Sequence, residues 1–207
     1  MKTLLFLASS AIALAGPITY TFTGSVTGTL GSTTFTDAAL TATLLGDTTN
    51  ALPDGGGGFY NNIGAGLASI SIAGVGSGTF IDLMYVFSCP PCSGFIELQQ
   101  QNVGPGALTF TDPAFLAYDL TTAIGPIQSA GPTPAFFLPW SDTTSFGTFN
   151  ITSIQSPTFQ ATLGAGVPEP GTLVLVSAAL LLLGITRRRL HLCNLLIVAH
   201  GVKRDVN

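Results

Sequence analysis

In Ile18-Thr19-Tyr20-Thr21-Phe22-Thr23 every second residue is apolar and every residue between is threonine. Only an extended backbone sends alternate side chains to opposite faces, so the stretch reads as a half-buried β-strand. The alternation recurs at Leu40-Thr41-Ala42-Thr43-Leu44, Ala68-Ser69-Ile70-Ser71-Ile72, Ile81 to Phe87, Phe95 to Leu98, Phe146 to Ile154 and Phe159 to Leu163. Turn formers separate these runs: Gly46-Asp47, Pro53-Asp54-Gly55, Gly74 to Gly78, Gly104-Pro105-Gly106, Gly131-Pro132 and Ser156-Pro157. Short strands punctuated in this way predict an all-β domain over residues 16–166, an antiparallel β-sandwich or jelly roll. Its apolar rows would face inward, with Thr, Ser and Gln outward. A closed barrel satisfies the same pattern, whereas the lack of a fixed-period repeat counts against a solenoid. Ala114 to Leu120 and Phe136 to Trp140, crowded by Pro113, Pro132, Pro134 and Pro139, read as loops or edge strands.

Charge removes whole classes of function. Between Lys2 and Arg187 there is no Lys, Arg or His, while residues 16–166 carry eight carboxylates: Asp37, Asp47, Asp54, Asp82, Glu97, Asp112, Asp119 and Asp142. A nucleic-acid partner is excluded, because phosphates are neutralised by Lys and Arg. A Ser-His-Asp triad, a lysine base and an arginine clamp are equally unavailable. Two carboxylates suffice for glycoside hydrolysis, yet no short spacing singles out a pair. Calcium needs only oxygen ligands, but no D-x-D-x-D loop offers them. The expectation is a non-catalytic domain without cofactor or metal, a carboxylate-dependent glycoside hydrolase being the enzymatic alternative.

Three local features carry candidate chemistry. Cys89-Pro90-Pro91-Cys92 is a C-x-x-C pair, but the residues after it, Gly94-Phe95-Ile96-Glu97-Leu98, read as a strand and not as the helix of a thioredoxin-like centre. It reads as a structural disulfide between Cys89 and Cys92 across a strand-to-strand turn. Trp140, the chain's one tryptophan, either stacks on a sugar from the surface or plugs the core, and core burial is the expectation. Gly55 to Gly58 reads as a surface turn, since a phosphate cradle would need a lysine and a following helix. A lectin-like module would use Trp140 and this loop first.

The two ends read as addresses. Lys2, an apolar run from Leu4 to Leu14, and small residues at Ala13 and Ala15 predict a signal peptide over residues 1–15, cleaved by signal peptidase to begin the mature chain at Gly16. Gly171 to Thr186 is free of charge for sixteen residues, which as a helix reaches roughly 24 Å. That falls short of the ~30 Å hydrocarbon core, so a span over 171–186 needs local thinning or snorkelling arginines. Arg187, Arg188 and Arg189 hold the cytoplasmic side by the positive-inside bias. The topology is an exported domain and one transmembrane helix through the inner membrane.

The order Val167-Pro168-Glu169-Pro170-Gly171-Thr172, hydrophobic run, Arg187-Arg188-Arg189 resembles the PEP-CTERM sorting signal of exported Gram-negative bacterial proteins, over residues 167–189. The resemblance implies recognition by a membrane-embedded exosortase that cleaves near Pro168, Glu169 and Pro170. It also implies a final place at the cell surface or in an extracellular matrix rich in exopolysaccharide. One feature departs from the pattern: such signals stop near the arginines, whereas here an atypical tail, 190–207, continues. His191, Cys193 and His200 within it match no zinc spacing.

Overall fold

Threonine-alternating segments form strands because a β-branched side chain prefers extended backbone and their apolar rows need a common core. In the computed structural model, which describes residues 16–101, 108–129 and 139–164, the strands in chain order are β1 (Pro17–Leu30), β2 (Thr33–Asp47), β3 (Ala51–Pro53), β4 (Phe59–Ile63), β5 (Ala68–Ile72), β6 (Gly76–Thr79), β7 (Met84–Cys89), β8 (Phe95–Gln100), β9 (Leu108–Thr111), β10 (Ile124–Gln128), β11 (Trp140–Thr144) and β12 (Gly147–Leu163). All pairings are antiparallel. One sheet has seven strands in the order β10-β12-β1-β2-β5-β6, with β11 also on β12; the other has five, β3-β4-β7-β8-β9. The all-β expectation is met. The described residues belong to one compact unit, Ala15–Gly166.

Both sheets contribute to one core. Ile18, Tyr20, Phe22, Val26 and Leu30 keep a single parity along β1 and are fully buried, with threonine on the other face. Phe22 meets Phe110 of the five-stranded sheet at 5.2 Å between ring centres. Phe159 of β12 is the hub, with Phe22 at 5.0 Å, Phe115 at 5.6 Å and Tyr118 at 6.1 Å. Each buried aromatic contributes about 1.5–3 kcal/mol from area alone, and tilted pairs add about 0.5–1.5 kcal/mol.

Three sequence readings need correction. Ser156-Pro157 is no turn: β12 runs through it as a bulge, with Ser156 at φ 48° and the register moving from Thr23↔Thr158 to Ser25↔Gln155. The long ladder with β1 on both sides of the bulge outweighs the local breaker. Gly74 to Gly78 holds a turn and also β6, where a Cβ on Gly78 would stand 2.8 Å from Thr144 Oγ1, so that glycine admits β11 closely. The run from Ile81 to Phe87 becomes a strand only at Met84, because Ile81 to Leu83 bend between the two sheets.

The signal peptide 1–15 with Ala13 and Ala15, the sorting signal 167–189 with Pro168, Glu169 and Pro170, the span 171–186, the cluster Arg187, Arg188 and Arg189 and the tail 190–207 lie outside the described residues. So do Gly104-Pro105-Gly106, Gly131-Pro132 and Phe136-Phe137-Leu138. Among the described residues no helix is long and apolar enough to cross a membrane; the helical segments are short 3-10 pieces, Thr48–Asn50, Pro90–Cys92 and Pro113–Ala117.

Candidate functional site

Pairing β4 with β7 and β7 with β8 in the observed register sets Tyr60 beside Phe87, and Asn62 beside Tyr85 and Gln99, on the outward face of the five-stranded sheet. These side chains, with Asp54 and Gln101, line a groove of about 550 Å³. A second hollow of about 440 Å³, lined by Thr49, Leu52, Gly64 and Leu83 among others, shares Asn62 and Gln101 with the first. The two hollows are neighbours on either side of those shared residues. The aromatic surface of the groove and the amide groups at its rim match the composition of small-molecule sites, apolar with a few placed polar groups.

A hydrogen-bond chain sets the orientation of the rim. The Tyr85 hydroxyl donates to Gln99 Oε1, and Gln99 Nε2 donates to the Glu97 carboxylate. Glu97 is 1% exposed and also accepts from Thr109 Oγ1 at 3.2 Å. Because the acid accepts, the amide of Gln99 has only one satisfactory orientation. Burial and the neighbouring Glu97 hold the Tyr85 hydroxyl above its ordinary pKa, so it stays a neutral donor.

Gly55 to Gly58 forms the β3–β4 connection and follows Asp54, which lines the groove. Asp54 Oδ1 accepts from Gly56 N at 2.7 Å and Gly58 N at 2.8 Å, and Gly55 and Gly57 take φ of 83° and 95°. Two of the amides that a phosphate cradle would use are thus occupied by a carboxylate, as the surface-turn reading requires.

No protein-family model, curated protein or solved structure matches this chain.

The other sequence candidates fall elsewhere. Cys89 and Cys92 form a disulfide, Cα–Cα 5.2 Å, around Pro90–Cys92 between β7 and β8. Trp140 opens the edge strand β11 and is 8% exposed, packed edge-on against Phe80 at 6.1 Å and Phe149 at 5.9 Å. It plugs the core and presents no face to a sugar. Four carboxylates serve their own turns: Asp47, Asp54, Asp112 and Asp119 each accept from the backbone N–H two residues on. Asp142 is different, 5% exposed on the inward row of β11 with Asp82 beside it; desolvation first, then Asp82, pushes its carboxyl up to about 6.

Tyr60, Tyr85, Asn62 and Gln99 escape a reading by motif because they are spread over three strands, β4, β7 and β8. The alternation within Met84–Cys89 and Phe95–Gln100 was the available signal, since it gives each strand an outward row; only pairing brings those rows together. The seven-stranded sheet offers a contrasting outward surface, where Thr23, Thr41, Ser71 and Ser77 fall in one cross-strand row and Thr21, Thr43, Ser69 and Thr79 in the next. That surface is hydroxyl-rich and uncharged, with no aromatic residue in either row.

Proposed function

We propose that this chain is an exported, exosortase-sorted bacterial surface or extracellular-matrix protein whose non-catalytic β-domain binds neutral exopolysaccharide along the outer face of the five-stranded sheet. The observation that carries the binding reading is the groove in which Tyr60, Tyr85 and Phe87 supply flat apolar surface between Asn62, Gln99 and Gln101. Sugar rings present apolar C–H faces and hydroxyl edges, which aromatic and amide groups satisfy together. Neutrality follows from charge: residues 16–166 hold eight carboxylates and no cation, so a uronate or sulfate would meet only repulsion. Binding without hydrolysis is favoured because Asp54 caps its own loop and Glu97 is buried.

The sorting half of the reading rests on the PEP-CTERM resemblance at Pro168, Glu169, Pro170, Arg187, Arg188 and Arg189, with signal peptidase, exosortase and the inner membrane as processing partners. A two-sheet sandwich of jelly-roll type is the architecture proposed for the exported part; the shared core and the Phe22–Phe110 contact support it.

Affinity electrophoresis in gels containing hydroxyethyl cellulose, with alginate as the anionic comparison, tests the binding reading on the full chain. Retardation in the neutral gel alone, reduced at least fivefold in apparent affinity by Tyr60→Ala and by Phe87→Ala, is expected. Unaltered mobility across a panel of neutral glucans, mannans and galactans would remove it.

A further inference from the structure

Asp142 sits where the fold should hold an apolar side chain. On β11 the inward row is Trp140, Asp142 and Thr144, and Asp142 pairs across to buried Phe149. One of its oxygens, Oδ1, accepts from Thr143 N at 2.6 Å. The other, Oδ2, is buried and meets no N–H or hydroxyl donor; the one side chain against this carboxyl is itself an acid. Buried carboxylate oxygens are almost always paired, and the usual partner is a basic side chain. Here none exists, because residues 16–166 hold no Lys, Arg or His. The neighbour is instead a second acid, Asp82.

The local backbone holds the two acids together firmly. Ile81 N donates to Thr143 O at 3.0 Å, Phe80 bridges Thr144, and Ser145 N donates to Thr79 O at 2.8 Å. The segment from Thr79 to Ile81, just before Asp82, is thereby clamped onto β11 by main-chain bonds. Asp82 is half-buried and Ile81, next to it, is 60% exposed, so solvent reaches the pair from the Asp82 side. Residues 16–166 supply no positive charge to the pair, which leaves it to a proton shared between the carboxyls at low pH and to a cation from solution above it.

We propose that Asp82 and Asp142 form a binding site for a hard divalent cation of the calcium class, with Asp142 Oδ2 as the inner ligand. Oxygen-only ligation is the preference of such ions. No group of three His, Cys, Asp or Glu side chains converges among the described residues, so two carboxylates supply the protein's charge and water or main-chain oxygen completes the shell. A site this sparse belongs to the weak class of extracellular modules, with Kd of about 10⁻⁴–10⁻³ M. The ion would fasten β11 to the β6–β7 connection, one of the two segments through which the chain crosses from the seven-stranded sheet to the five-stranded one. This inference is independent of glycan binding.

Terbium luminescence and thermal melting of the full chain, stripped of metal and held at pH 7.5, test it. Trp140 lies two residues from Asp142 and is the chain's one tryptophan, so excitation near 295 nm, roughly the red edge where indole absorbs alone, should sensitise bound terbium. Calcium should quench that emission by competition, and 10 mM calcium, about 10 to 100 times the expected Kd, should raise Tm by several degrees. Asp82→Asn and Asp142→Asn, both isosteric, should each abolish the emission and the rise. A wild-type chain with no sensitised emission and an unchanged Tm would overturn the proposal. So would a full response retained in either variant, since that would show the ions bound to other surface carboxylates.

Discussion

Asp142 carries a cost that can be read by titration. Its carboxyl is raised from an ordinary value near 3.8 to about 6, chiefly by desolvation. Between those values the native chain keeps a proton that the unfolded chain has lost, so stability must fall as pH rises through the window and level off above it. The full shift corresponds to at most about 3 kcal/mol, less where water reaches the pair. In calcium-free buffer, urea unfolding at pH 4.5 and 7.5 should show a decrease of about 1–2 kcal/mol for the wild type beyond that of Asp142→Asn. Parallel profiles for the two chains would mean that the carboxyl is hydrated and ordinary. Neither its burial nor its partner is legible in Trp140-Ser141-Asp142: Phe136 to Trp140 reads as a loop or edge strand, so the sequence assigns no strand to carry the inward parity of Trp140 on to Asp142, and Asp82 is distant in the chain.

Between elements, the polar network around Tyr20 does what apolar packing cannot: it selects one register. The Tyr20 hydroxyl, on β1, donates to Leu120 O at 2.7 Å and accepts from Asn61 Nδ2 of β4 at 2.8 Å, while the same amide donates to Asp47 O at 2.8 Å. Burial holds the phenol well above its usual pKa, so it is a neutral donor at every physiological pH. Tyr20→Phe leaves a carbonyl and an amide hydrogen without this partner, and should cost about 1–3 kcal/mol in urea unfolding. Tyr118→Phe, which removes one bond to Thr122 O, should cost about 0.5–1.5 kcal/mol. Equal losses would show that the network adds nothing beyond a single bond. The sequence identified Tyr20 as inward from its parity along Ile18 to Thr23. That its hydroxyl meets Asn61 depends on how β4 lies beside the end of β2, a contact between elements with no trace in either segment alone.

For the whole molecule, the proposed export and the proposed glycan binding make separate demands. If the addresses at the two ends act as the PEP-CTERM resemblance implies, intact mass in a host with the matching exosortase should show a species from Gly16 to near Pro168 to Pro170. In a host lacking that enzyme the species should keep residues 171–207 and stay in the membrane fraction. A chain retaining the tail 190–207 in both hosts would make the C-terminal segment a plain anchor. The groove of the five-stranded sheet would be unaffected by that result, since Tyr60, Tyr85 and Phe87 all lie within 16–166.

What the sequence determined by itself was class and exclusion. Thr–apolar alternation dictates strands because only extended backbone separates the two rows, and the absence of Lys, Arg and His from residues 16–166 is the ground for expecting no partner or mechanism there that needs positive charge. Tertiary structure decided everything that depends on neighbours distant in the chain. Pairing β4, β7 and β8 assembled the aromatic groove, the ladder with β1 carried β12 through Ser156-Pro157, and the clamp of Phe80 and Ile81 on β11 set Asp82 beside Asp142. Each of these follows from which strands lie side by side, and residues that share a strand pattern do not specify their partners.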